Sequence, residues 1–156
     1  MYSNIPHYKR ILAVFIIVLC FLFWKSHYTH AASLNISPSS GPFEVGSTFD
    51  LSVLLDTKGQ TINTVKVELQ YPPDKLQLVS PATTLSIITL WTSQPSFDNQ
   101  LGRITLQGGI PGGINVSSGL ITKLTFRVKS TGTVLVRFLD NSRVLLHDGY
   151  GTDALS

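Results

Sequence analysis

Side chains able to do acid–base, nucleophilic or metal chemistry are sparse in this 156-residue chain, so their spacing decides what they can be. The only glutamates are Glu44 and Glu68. Glycoside hydrolysis takes two carboxylates facing each other across a cleft, whereas Glu68 and Asp74 lie on and just beyond one strand-like run with nothing adjacent to raise either pKa. Cys20 sits inside an apolar run and reads as a buried, apolar-like side chain. Beyond residue 31 the only histidine is His147, and no serine lies in a nucleophile-elbow context, so an enzyme is not expected. In "HDGYGTD", Asp148 and Asp153 flank Gly149 and Gly151, with Asp140 and Asn141 upstream. Those oxygens suit calcium, but the spacing does not match a calcium loop closed by a glutamate, so an Asp-Gly turn is expected and calcium is the sole cofactor option. "GGIPGG", Gly108 to Gly113, lacks the Lys-Ser or Lys-Thr ending of a phosphate loop and reads as a flexible loop.

The chain opens with Lys9 and Arg10, then the apolar run "ILAVFIIVLCFLFW", then a short polar stretch ending at "THAA". This is the layout of a secretory signal peptide. As a helix the apolar run is roughly 21 Å long, short of the roughly 30 Å hydrocarbon core. Thr29 and Ala31 suit a cut after Ala31, so residues 1–31 are read as a signal peptide and residues 32–156 as the exported domain; retention as an N-terminal membrane anchor is the alternative. The protein is then extracellular or at the cell surface. Lys9, Arg10 and Lys25 leave with the segment, and the net charge of +3 with them. The remaining domain is near neutral, which gives no reason to expect a nucleic-acid partner. It also lacks cysteine and must be held by its core alone, which at about 125 residues buries about two-thirds of the unfolded surface. "NIS" at Asn35 and "NVS" at Asn115 are glycosylation sequons in a eukaryotic setting.

From residue 32 onward the pattern is that of strands. "TFDLSVLLD" puts Phe49, Leu51, Val53 and Leu55 on one face, and "GRITLQGG", "KLTFRVKS" and "GTVLVRFL" alternate in the same way. No segment keeps a helical period for three turns. Short strands divided by "SPSSGP", "TKGQ", "YPPD", "GGIPGG" and "STG" mark an antiparallel β-sandwich. In "NTVKVELQYPPDKLQLV" the apolar series Val65, Val67, Leu69, Tyr71 meets Pro72 and Pro73, and a second alternation begins at Leu76. Pro72 has no amide hydrogen for a ladder and is itself held extended by Pro73. The strand must turn a corner there, returning Leu76 and Leu78 to the core from the opposite sheet.

"LQYPPDKLQLV" and "GLITKLTFRVKS" resemble the cohesin signature and one of the characteristic cohesin strands, and the resemblance runs from about Leu34 to Leu155. It implies an all-β antiparallel sandwich of jelly-roll topology with about nine strands. It also implies a non-catalytic scaffold module that binds a dockerin-type domain and so assembles extracellular polysaccharide-degrading or surface proteins. Pro72 stands where cohesins usually have Asp or Asn. A final strand is implied after "HDGYGTDALS", where the sequence stops at Ser156, and without it the edge beside the first strand stays unpaired. In cohesins, exposed Asn and Asp precede the Tyr-containing motif; Thr64 and Lys66 hold those places, implying a diverged partner. The implied partner face is Thr64, Lys66, Glu68 and Gln70, extended by Thr105 and Gln107 if their strand lies alongside, against the plain reading of a solvated strand face. A polysaccharide is the alternative partner, as for a carbohydrate-binding module, with an adhesion domain as a third reading. Flat sugar binding takes a row of exposed rings, and only Trp91, Tyr71 and Tyr150 are available, Tyr71 being expected inward and Trp91 at the core rim.

Overall fold

The computed structural model describes residues 31–155. The expected export segment, apart from Ala31, lies outside the described residues. Among those described, no helix is long and apolar enough to cross a membrane.

Nine strands form two sheets: β1 (Ser33–Ser37), β2 (Thr48–Asp56), β3 (Ile62–Gln70), β4 (Leu76–Ala82), β5 (Leu90–Asp98), β6 (Arg103–Ile114), β7 (Gly119–Val128), β8 (Arg137–Phe138) and β9 (Arg143–Leu146). One sheet has the order β1-β2-β7-β4, the other β5-β6-β3-β8, with β9 also pairing β3. The strand pairs are all antiparallel. The chain changes sheet between β2 and β3, β3 and β4, β4 and β5, β6 and β7, and β7 and β8, so neighbours in sequence mostly face each other across the core. The period-2 alternation drives this arrangement: Val65, Val67 and Leu69 of β3 and Leu51, Val53 and Leu55 of β2 are buried, while Lys66, Glu68, Ser52 and Leu54 between them are only partly so. Each fully buried aliphatic side chain contributes about 1.5–3 kcal/mol.

The double proline makes the expected corner. β3 ends at Gln70 in the five-stranded sheet and β4 starts at Leu76 in the four-stranded one. Between them Leu76 N donates to Pro72 O at 2.9 Å, and Leu76 and Leu78 are buried. Tyr71 is inward, its ring edge-on to Phe126 of the facing sheet with centroids 5.1 Å apart. Its hydroxyl donates to Asn99 Oδ1 (2.6 Å), which also accepts from Leu78 N (2.8 Å), while Asn99 Nδ2 donates to Leu78 O (3.0 Å). One side-chain amide thus stands in for a neighbouring strand at the β4 edge. Gly102 approaches the corner so closely that any Cβ would strike Tyr71 O, and its φ of 65° suits glycine.

Two expectations are corrected. Gly108 to Gly113 is not a flexible loop but the second half of β6. Gly108 carries β6 past Ile88 and the backbone of Leu90, where a side chain would clash. Beyond it, between the pairs Thr64↔Gly109 and Ile62↔Ile114, β6 bulges outward through Gly112 and Gly113 at positive φ. "GTVLVRFL" is mostly not a strand: only Arg137 and Phe138 pair, while Val134 to Val136 run unpaired. On one side of that segment β3 has already turned its corner, and on the other no strand lies alongside. The end of the chain follows the expectation in part, since Thr152 to Leu155 form isolated bridges, Leu145↔Asp153 antiparallel and Ala32↔Leu155 parallel, rather than a tenth strand.

Candidate functional site

The outward face of the five-stranded sheet gathers the residues that sequence spacing singled out. On β3, Thr64, Lys66, Glu68 and Gln70 alternate with the buried series, so all of them point away from the core. β6 lies alongside in register, pairing Glu68 with Thr105 and Lys66 with Gln107, which brings Thr105 and Gln107 onto the same face. The six expected residues are therefore contiguous.

Sequence reading missed the flank supplied by β8 and β9. These are two halves of one broken strand along β3, pairing Gln70↔Arg137 and Lys66↔Arg143. At the break the buried Ser142 fills the ladder: its hydroxyl accepts from Glu68 N (3.1 Å) and donates to Glu68 O (3.3 Å), while Leu139 N donates to the same carbonyl at 2.8 Å. Arg103 stands opposite Gln70 on β6 and Asp98 opposite Arg103 on β5, giving a row Arg137–Gln70–Arg103–Asp98 in which Arg137 Nη2 donates to Gln70 Oε1 at 2.9 Å. Alternation alone marks Arg103 and Arg137 as outward; no local signal shows that chain positions so far apart share a face.

The face is charged at one end, with two arginines and one aspartate, and apolar at the other. Lys66 is paired with Glu68 (2.8 Å) and Arg143 with Asp153 (3.3 Å), while in the row of Arg137, Gln70 and Arg103 the one carboxylate is that of Asp98, opposite Arg103 on β5. At the opposite end Thr64 lies between Leu145 and Gly109, and Gly109 pairs with the exposed Leu90 of β5. The Lys66 ammonium holds the Glu68 carboxyl below its usual range, against a smaller opposing effect of burial, with help from Asn141. Asp56 is held low by Lys58, and Asp148 by the Thr152 hydroxyl and the backbone amides of its own turn. These shifts favour permanent charge, the opposite of what a general acid needs. Asp148 Oδ1 accepts from Tyr150 N at 2.8 Å, which makes "HDGYGTD" a side-chain-closed turn. Among the described residues no group of three or more His, Cys, Asp or Glu side chains is placed to hold a metal ion.

Aromatic rings do not line this face in a row. Trp91 packs against the core rim opposite Gly108, Tyr71 is buried, and the exposed Tyr150 lies in the turn after β9.

No family model matches the chain, and no curated protein matches it. Solved structures do. A cohesin from Clostridium acetobutylicum superposes with a TM-score of 0.63 at 14% identity, covering 82% of this chain and 86% of that one. The fold is that of a cohesin module. The sixth cohesin of scaffoldin B from Acetivibrio cellulolyticus, crystallised with a dockerin, gives a TM-score of 0.61 at 16% identity over 81% of this chain and 92% of that one. A type I cohesin–dockerin complex from Clostridium thermocellum gives 0.59 at 16% identity, over 72% and 80%. At such identities the cohesin likeness is one of fold, carried by the sandwich described above.

Proposed function

We propose that this chain is a non-catalytic module that binds a dockerin-type domain through the outward face of β3, β6, β8 and β9, and is exported to the cell surface or beyond. The observation that carries the reading is the shared fold with cohesins crystallised in complex with dockerins. The chemistry of the face sharpens it. A partner that fits sets an apolar side chain on the Thr64, Leu145 and Leu90 end and acidic or carbonyl groups against Arg137 and Arg103. Scaffolding of polysaccharide-degrading or surface proteins is the role this implies. Sugar binding has less support, because a flat polysaccharide needs a row of rings that the described face lacks.

Binding of the host's dockerin-bearing secreted proteins, measured by surface plasmon resonance with the variants Lys66→Glu and Arg103→Glu, tests the reading. Both changes lie on the surface and are expected to alter stability by no more than about 0.5 kcal/mol. A central, desolvated contact costs roughly 2 kcal/mol or more on charge reversal, about 30-fold in Kd, whereas a rim charge slows association and weakens its salt dependence. Wild-type capture of no dockerin, together with retention on insoluble cellulose, xylan or chitin that Trp91→Ala abolishes, would replace this reading with a carbohydrate-binding one.

A further inference from the structure

The apolar end of the face continues past β9. Leu145 lies outward beside Thr64, and the chain then leaves the sheet in the turn of residues 147–152. That turn is pinned to the end of the face. His147 N donates to Thr61 O at 2.8 Å, just before β3, and His147 Nδ1 lies 3.3 Å from Asn63 Nδ2 on β3. Gly113 of the β6 bulge comes so close to the same imidazole that a Cβ there would stand 3.2 Å from it. On the return, Leu146 N donates to Thr152 O (2.9 Å) and Ala154 N to Val144 O (2.7 Å).

Inside the turn the Asp148 carboxylate fixes the backbone. Its Oδ1 accepts from Tyr150 N at 2.8 Å, and the Thr152 hydroxyl and the amides of Gly151 and Thr152 face the same group. Gly149 and Gly151, at φ 78° and 72°, supply the left-handed conformations that the path requires. At the tip stands Tyr150, 91% exposed, the most exposed of the large apolar side chains among the described residues. Neither its ring nor its hydroxyl has a partner there.

An apolar side chain exposed singly is common and by itself calls for no explanation. Tyr150 differs in its seat. A turn that only joins two segments is served by small polar residues, whereas this one holds an aromatic ring on an ordered backbone at the rim of a face proposed to bind a protein. Such a ring offers a large contact area and a hydrogen-bonding hydroxyl, while only its two χ angles remain to be fixed on binding.

We propose that Tyr150 is an anchor for the dockerin-type partner, which overhangs the apolar end of the face and takes the ring into an apolar cleft with a carbonyl or carboxylate oxygen for the hydroxyl. This rests on the reading of the face given above and adds to it the turn after β9. Leu90, Leu145 and Tyr150 then gather the apolar contacts at one end, opposite the charged row. Asp148 is a positioning residue that acts through Tyr150.

The test measures the full chain as exported, by surface plasmon resonance, against recombinant dockerin domains from the host's own secreted proteins. Tyr150→Ala should raise Kd by about 30-fold with an unchanged melting temperature, and Tyr150→Phe by about 2- to 10-fold. Asp148→Ala should weaken binding in the wild-type background and add nothing to Tyr150→Ala, the coupling expected if it serves only to hold the ring. Val79→Ala, an exposed side chain of the other sheet, should change nothing. Wild-type binding that Lys66→Glu or Arg103→Glu weakens and Tyr150→Ala leaves within twofold overturns the anchor and spares the face. Additive losses from Asp148→Ala and Tyr150→Ala overturn the positioning role. Capture of no dockerin by wild type overturns both the anchor and the face, as does retention on insoluble polysaccharide that Tyr150→Ala abolishes.

Discussion

Glu68 carries more of the site than its size suggests. Its backbone closes the break between β8 and β9 through Ser142, and its carboxylate neutralises Lys66 at the middle of the face. The folded carboxyl is held below its usual range, so its contribution to stability is present above the unfolded-state pKa and is lost as pH falls through the lowered folded value. Glu68→Gln should therefore melt below wild type at about pH 7, and the gap should close as pH falls through the lowered folded value. With Lys66 and Glu68 side chains 33% and 16% exposed, solvent screens the pair. The gap at neutral pH should be about 0.5 kcal/mol, roughly 1–3 °C by calorimetry. A gap that widens toward acid would mean the glutamine disturbs the Ser142 ladder instead of removing a charge.

At the scale of elements, the corner between β3 and β4 depends on a side chain from elsewhere. Asn99 accepts from Tyr71 and Leu78 N and donates to Leu78 O, so Asn99→Ala leaves the Tyr71 hydroxyl and both polar groups of an edge residue without those partners. The expected loss is about 2–4 kcal/mol in chemical denaturation, because unsatisfied groups cost more than the bonds contributed. Asn99→Asp keeps both acceptor roles but at neutral pH sets a carboxylate oxygen against Leu78 O in place of a donor, so it too should be destabilised, and less so at acid pH where the protonated carboxyl can donate again; a loss independent of pH would show that this donor bond does not hold the corner. The corner itself was legible because two adjacent prolines and a restarted alternation are local signals, as was the inward Tyr71. Asn99 was not, since nothing around it in sequence points to Tyr71. The same distinction explains the site. The row on β3 follows from period-2 spacing, whereas Arg143 joins it through pairing between distant segments. "GGIPGG" misled because glycine serves close strand approach as well as loops, and Gly108 is used for the former.

Over the described residues, the start of the first strand and the end of the sandwich meet. Ala32 is fully buried, and its nitrogen donates to Ala154 O at 2.7 Å, so the chain's entry and its last bridge share one hydrogen bond. A cut after Ala31 turns that nitrogen into an amine, which still donates to the same carbonyl whether charged or neutral, so cleavage removes no hydrogen bond from the sandwich. The half-exposed Ala31 lies just outside the bridge. Intact-mass measurement of the exported protein should give a chain beginning at Ala32. Ala31→Phe breaks the small-residue requirement of the cut and should leave the full-length chain in the membrane fraction, held by residues 11–24. If wild type is itself recovered only from membranes at full mass, the segment is a retained anchor, and the proposed partner face would be displayed on the cell that makes it.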